Sequence, residues 1–403
     1  MEAATVTANA SANASEMDVL FEEFSKIGSQ GPPDPYAFFG AMRARGAAIL
    51  SPLGDGTVLA LGFDAVSQVF RDSRTFSSAG YAKVVGIVFG HSILEMDPPE
   101  HTRYRAIVQQ AFSRRALELW RDRLVVPYAN ALVDGFAARG RAELTREFAF
   151  PFPLAIIAGM LDVPERDRMQ YTRWAIEILS GQMQAGTALH AAKALGEYFA
   201  PRIEAARGRA GDDLITLLAN AELDAAQLST EEILPFIRLL SPAAFETTAR
   251  AFSNLMCGLL NNPEQLDAVK RDRSLIPQAV QEGLRWEPPL VSFARTATRD
   301  TEVAGVPVKA GALIATIVGA ANRDPARWEN ADRFDLHRPA KPHVAFAQGA
   351  HTCLGMHLAT LELETALGVL LERLPNLRRD PAAPAPVITG GSFRTALALP
   401  VVF

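Results

Sequence analysis

The chemistry-bearing residues of this chain gather around a cysteine. The run Phe346-Ala347-Gln348-Gly349-Ala350-His351-Thr352-Cys353-Leu354-Gly355 places a thiol in a glycine-containing loop, just ahead of a helical pattern from Met356 to Arg373. Free amide N–H groups and the positive end of a helix dipole favour an anion there, so the spacing predicts a lowered thiol pKa and a thiolate fit to bind a metal. Gly349 and Gly355 carry no side chain to stop a flat group from approaching the backbone. The second cysteine, Cys257, lies in an apolar helical stretch, and either thiol taken alone would be read as merely packed.

Two other patterns accompany the loop. Glu282-Gly283-Leu284-Arg285 sets an acid and a base at i and i+3, neighbours on one helix face and by themselves no more than a solvated ion pair. Ala243-Ala244-Phe245-Glu246-Thr247-Thr248 sets a carboxylate beside a hydroxyl, which alone reads as an exposed acid and a threonine bonded to its own helix.

The elements that must position these groups are mainly helical. Apolar periodicity predicts helices over Ala116 to Arg139, Pro164 to Leu179, Leu189 to Ala206 and Glu231 to Asn261, the last introduced by Ser229-Thr230-Glu231-Glu232. Pro235 and Pro242 inside that helix remove i to i−4 hydrogen bonds and predict a kink beside small residues, where a ligand finds room. Strand-like patches are short: Val58 to Gly62, Thr301 to Val308 with a Gly305-Val306-Pro307 turn, Ala312 to Val318, and Ala396 to Val402. No internal repeat or long Gly/Ser linker divides the chain, so a single domain over 18–403 is expected after a small, polar leader over 1–17.

The cysteine loop closely resembles the haem-binding loop of the cytochrome P450 family, whose pattern reads Phe, small residue, any, Gly, any, His or Arg, any, Cys, any, Gly. Here Ala347 stands where the family usually has Gly or Ser. The Glu-x-x-Arg motif and the acid-alcohol stretch resemble two more of its motifs, in the same order, and the likeness runs from about Asp34 to Phe403. It implies a mainly α fold with a small β region, the cytochrome P450 fold, and haem b (iron protoporphyrin IX) as cofactor with Cys353 as its axial ligand. Phe346, Gly355 and Ala243 would lie against the macrocycle, and His101, Arg105, Arg295 and His351 would hold its propionates, anions that call for Arg or His donors. Glu282, Arg285 and Arg338 would form a buried triad bracing the cysteine loop.

The same resemblance makes Thr247 and Glu246 the catalytic pair. Dioxygen needs two protons before its O–O bond breaks, which a hydroxyl backed by a carboxylate relay can deliver. Ala244, where the family usually has glycine, adds a methyl that narrows this groove. Phe89, Leu239, Ala243, Leu290, Val291 and Phe393 match substrate-contact positions, and their apolar character suits a terpenoid, steroid, fatty acid or aromatic compound.

The implied reaction is insertion of one oxygen atom from O2 into a hydrophobic molecule, with electrons from NAD(P)H through a ferredoxin and its reductase. Arg114, Arg115, Arg121 and Arg123 would steer an acidic ferredoxin. A peroxide-driven peroxygenase and a non-catalytic haem ligand sensor are the alternatives. Composition agrees: the net charge of −5 has the wrong sign for a nucleic-acid partner. No apolar stretch approaches the roughly eighteen residues of a membrane anchor. Two cysteines and no secretory pattern at the start suit a reducing cytoplasm.

Overall fold

The computed structural model describes residues 16–28, 34–180, 184–223 and 226–403. The helices that bear on the site are α1 (16–26), α2 (Gly86–Phe89), α3 (Glu100–Gln109), α4 (Arg114–Trp120), α5 (Ala185–Ala206), α6 (Thr230–Asn261), α7 (Ile276–Trp286) and α8 (Met356–Arg373). Most of the leader expected over 1–17 lies outside the described residues. Glu16 and Met17, however, already belong to α1, because the Glu16 carboxylate accepts a 2.6 Å hydrogen bond from Arg173 and ties that end down.

The longest helix, α6, starts where the sequence placed its signal. Ser229 Oγ accepts from the Glu232 N–H at 3.2 Å while the Glu232 carboxylate accepts from the Ser229 N–H at 2.8 Å, a reciprocal cap. The helix runs through Pro235 and Pro242 to Asn261. From Phe245 to Leu260 nearly every side chain is buried, since α6 threads the centre of the main core, where Phe148, Phe150, Phe245 and Phe252 pack together.

The helix expected over Ala116 to Arg139 is interrupted. Trp120 ends α4, a π-helical turn spans Arg121–Val125, and an α-helix resumes over Val126–Phe136. Pro127 has no N–H to offer Arg123, so the ladder slips by one residue and the Val126 N–H bonds Arg121 instead.

The main sheet has the order β1-β2-β5-β4-β3, with β1 (Ala48–Leu50), β2 (Val58–Ala60), β3 (Phe76–Ser77), β4 (Phe293–Ala297) and β5 (Leu313–Thr316). The pattern over Thr301 to Val308 resolves into a hairpin whose tip puts Ala304 and Gly305 at φ 46° and 81°. The stretch Ala396 to Val402 divides in two: Thr395–Ala396 pairs with Ile388–Thr389, and Pro400–Val402 pairs with Arg141–Glu143 and Arg378–Arg379. Sequence patterning missed β4, although it pairs with both β5 and β3.

A buried acid joins distant parts of the chain. The Tyr36 hydroxyl donates to Glu287 Oε1 at 2.6 Å, Arg394 Nε to the same oxygen at 2.7 Å, and Arg323 Nη2 to Oε2 at 3.2 Å.

Candidate functional site

Cys353 is fixed by its backbone: its N–H donates to the Phe346 carbonyl at 2.8 Å, closing the loop that α8 follows. Gly349 has another role than the one expected of it. At φ 74° it lies against the Phe70 carbonyl, where any Cβ would collide, so it seats the loop on the helix over Phe63–Arg71. A Cβ on Gly355 would meet nothing within 4 Å, which leaves this side of the loop open to a flat group.

The expectation of a lowered thiol pKa does not hold for the polypeptide by itself. Cys353 keeps accessible surface, yet the protein packed around it pushes the thiol up, and the Gly355 N–H and the Arg105 guanidinium only partly oppose that. Gly355, not Cys353, caps α8, so the helix end acts on the sulfur from a distance. A bound metal would itself supply the drive to deprotonate the ligand. Cys257 is a packed thiol, pushed up to about 12 by burial and in contact with Asn261 and Pro386.

Four basic side chains from three elements come together above this loop. His101 and Arg105 share a face of α3, Arg295 comes from β4, and His351 from the loop itself. The rings of His101 and His351 lie 4.2 Å apart. Burial pushes His101 down to about 4 and His351 down to about 3, with the neighbouring cations adding to both shifts. The Arg295 guanidinium stacks 5.6 Å from the centre of Phe70 and hydrogen-bonds Tyr81, whose hydroxyl also accepts from the Ala294 N–H at 2.9 Å. Tyr81 belongs to no motif, and sequence reasoning overlooked it.

The nearest acid, Asp97, is already engaged by Ser77 and by the Ser78 N–H, while His351 Nε2 is buried with no partner among the described residues. Arg105 makes no ion pair among them either. Such a donor set is short of anions, and with the open face at Gly355 it fits a flat group carrying two carboxylates. Iron protoporphyrin IX is such a group, and Cys353 would supply the thiolate to hold its iron.

The ion triad is assembled. Glu282 takes Arg285 Nε and Nη2 at 2.7 Å each, and Arg338 Nε at 3.2 Å. Its members also hold the carbonyls of Asn322, Ala331 and Arg333 and the Asp335 N–H, so they fasten the segment leading to the cysteine loop to α7.

On α6, Ala243 is exposed and Ala244 and Thr247 are partly so, whereas Glu246 turns away into the core. Its carboxylate accepts from Arg250 Nη2 at 3.2 Å, and the same nitrogen donates to the Ile27 carbonyl at 3.0 Å. Among the remaining apolar positions Phe89, Leu239 and Leu290 are half-buried, and Leu290 forms a β-bridge with Phe393. Val291 differs. It is buried against Gly319, because its N–H and carbonyl bond Ser392 and Gly319 and fix its side chain inward.

The basic group near α4 is weaker than its sequence suggests. Arg114 pairs with Glu118, Arg121 with Asp122 and Arg123 with Asp212, which leaves Arg115 as the member without an acid among the described residues.

Residues 188–378 match the sequence profile of the Cytochrome P450 family. The chain is 34% identical over 371 residues to the cytochrome P450 monooxygenase PikC of Streptomyces venezuelae, covering 89% of this chain and 88% of that one. The crystal structure of CYP109E1 from Bacillus megaterium in complex with testosterone superposes with a TM-score of 0.83 at 28% identity, over 92% of this chain and 99% of that one. P450BioI in complex with an acyl carrier protein ligated to hexadec-9Z-enoic acid gives 0.83 at 30% identity, over 92% and 98%. No helix among the described residues is long and apolar enough to cross a membrane.

Proposed function

This chain belongs to the cytochrome P450 family of monooxygenases, and within it we propose a haem b enzyme that hydroxylates an apolar organic substrate with one atom of O2. The observation that carries this reading is the convergence of His101, Arg105, Arg295 and His351, without a neutralising acid of their own, above an exposed Cys353. When bound, the iron porphyrin would supply activation of dioxygen, to which the thiolate contributes electron density.

The chain's own residues do the rest. His101, Arg105, Arg295 and His351 would hold the carboxylates and set the plane of the group. The Glu282 triad keeps the cysteine loop from moving relative to α7. Thr247 presents a hydroxyl that now donates to the Ala243 carbonyl at 3.2 Å and can turn outward to pass a proton. Phe89, Leu239, Ala243, Leu290 and Phe393 surround the substrate with apolar surface and exclude water. The two electrons would come from NAD(P)H by way of a ferredoxin and its reductase, and a cytoplasmic setting suits both.

The peroxide-driven alternative draws support from one observation, the engagement of Glu246 by Arg250, which withholds the acid from Thr247. The test is reconstitution with ferredoxin, reductase and NADPH under labelled O2. One labelled oxygen in the product is expected. Equal turnover with hydrogen peroxide alone would favour the alternative.

A further inference from the structure

Arg238 sits where three elements meet, and its placement bears on what the enzyme binds. It lies on α6, one residue before Leu239, and its Nε donates to the Ala192 carbonyl of α5 at 3.0 Å. Two glycines make room for the rest of the guanidinium. A Cβ on Gly196 would stand 2.6 Å from Nη2, and one on Gly90, at φ 84°, would stand 3.8 Å from Nη1 and 3.3 Å from Pro235. Gly90 directly follows Phe89, the last residue of α2.

The two Nη nitrogens make no hydrogen bond or ion pair among the described residues, and no carboxylate acts on them. Burial pushes this guanidinium down, since a cation half removed from water costs free energy that nothing here repays. A brace between helices needs only the Nε bond, and an uncharged side chain would brace as well. What remains is a planar fork of four N–H donors facing neither an acid nor a carbonyl, the arrangement that takes a carboxylate in bidentate fashion.

We propose that Arg238 anchors the carboxylate of the substrate, so that the substrate class is an apolar acid held at the junction of α2, α5 and α6. This deepens the monooxygenase reading and rests on it. Phe89 and Leu239, the immediate neighbours of Gly90 and Arg238, begin an apolar strip that continues through Ala243 to Thr247. Thr247 stands nine positions after Arg238 on α6, roughly 13 Å along the axis. A medium-chain acyl group spans that length, and oxidation would fall towards the end remote from the carboxylate.

The test compares decanoate with 1-decanol on the haem-loaded protein, by calorimetry and by the shift of the Soret band. Decanoate should bind at least tenfold more tightly than the alcohol. Arg238→Gln should abolish that preference while leaving decanol binding unchanged, and Arg238→Lys should keep part of it. Gly196→Ala, which retains the charge but crowds Nη2, should weaken decanoate selectively and serves if Arg238→Gln does not fold. Equal affinities for acid and alcohol, or a preference that survives Arg238→Gln, would overturn the proposal. A wild-type protein without the carbon monoxide band of a thiolate haem would sink the monooxygenase reading instead, and the calorimetric preference distinguishes the two failures.

Discussion

Glu246 and Thr247 are adjacent in sequence but face different surroundings on α6: the carboxylate is buried against Arg250, while the hydroxyl lies on the partly exposed face with Ala243. Removing one should therefore not mimic removing the other. Thr247→Ala should bind substrate normally and release much of its oxygen as hydrogen peroxide, with coupling of NADPH to product falling roughly tenfold or more. Peroxide and product assayed together decide it, and unchanged coupling would assign the relay to another group.

The axial assignment separates the two cysteines. Cys353→Ser should lose the thiolate-specific Soret band of the reduced carbon monoxide complex, and Cys257→Ser should keep it, because Cys257 is packed against Asn261 and Pro386. The reverse result would transfer the iron to Cys257.

Breaking the triad should cost stability before it costs chemistry. Glu282→Gln leaves Arg285 and Arg338 buried without their anion, at about 3 to 5 kcal/mol. The expected readout is a lower midpoint of thermal unfolding together with reduced haem retention. A midpoint within a degree of wild type would show that the carbonyl bonds of the two arginines suffice.

His91 links the loop after α2 to α3, its protonated ring donating to Glu95 at 2.8 Å and to Glu100 at 3.0 Å. The Glu100 and Glu95 hydrogen bonds raise its pKa above the ordinary 6.5. The folded state therefore binds the proton more tightly, so the contribution is complete below pH 6.5 and fades as pH rises through the raised value. With the side chain 58% exposed it amounts to a few tenths of a kcal/mol. Proton NMR titration of His91 should show the raised pKa, and Glu100→Gln should bring it down; a wild-type value at 6.5 would refute the linkage.

Arg115 should dominate any electrostatic steering by the α4 region, since its neighbours are already paired. Arg115→Glu should slow the first electron transfer from an acidic ferredoxin at low ionic strength and leave substrate affinity alone. Adding Arg114→Glu should add little. Stopped-flow reduction that ignores both mutation and salt would place docking elsewhere.

The long helices were legible because apolar periodicity and capping chemistry are local, as at Ser229 and Glu232. The cysteine loop and the Glu282 pair were legible because each is a short run of fixed residue types. What was not legible is decided by tertiary contact. β4 is a strand because β5 and β3 flank it, although its sequence Phe293-Ala294-Arg295-Thr296-Ala297 has little strand character. The inward turn of Val291, the pairing of Glu246 with Arg250 and the support of Arg295 by Tyr81 all join positions that no local pattern connects.

The acid at Glu287 makes the packing around Tyr36 depend on a residue far along the chain. Its partner Arg394 emerges 107 residues after it, whereas Tyr36 has preceded it by 251. Without Arg394 the carboxylate would be buried with one of its two cations missing, so the packing of Tyr36, Glu287 and Arg323 against one another gains its full stability only when that distant segment joins them.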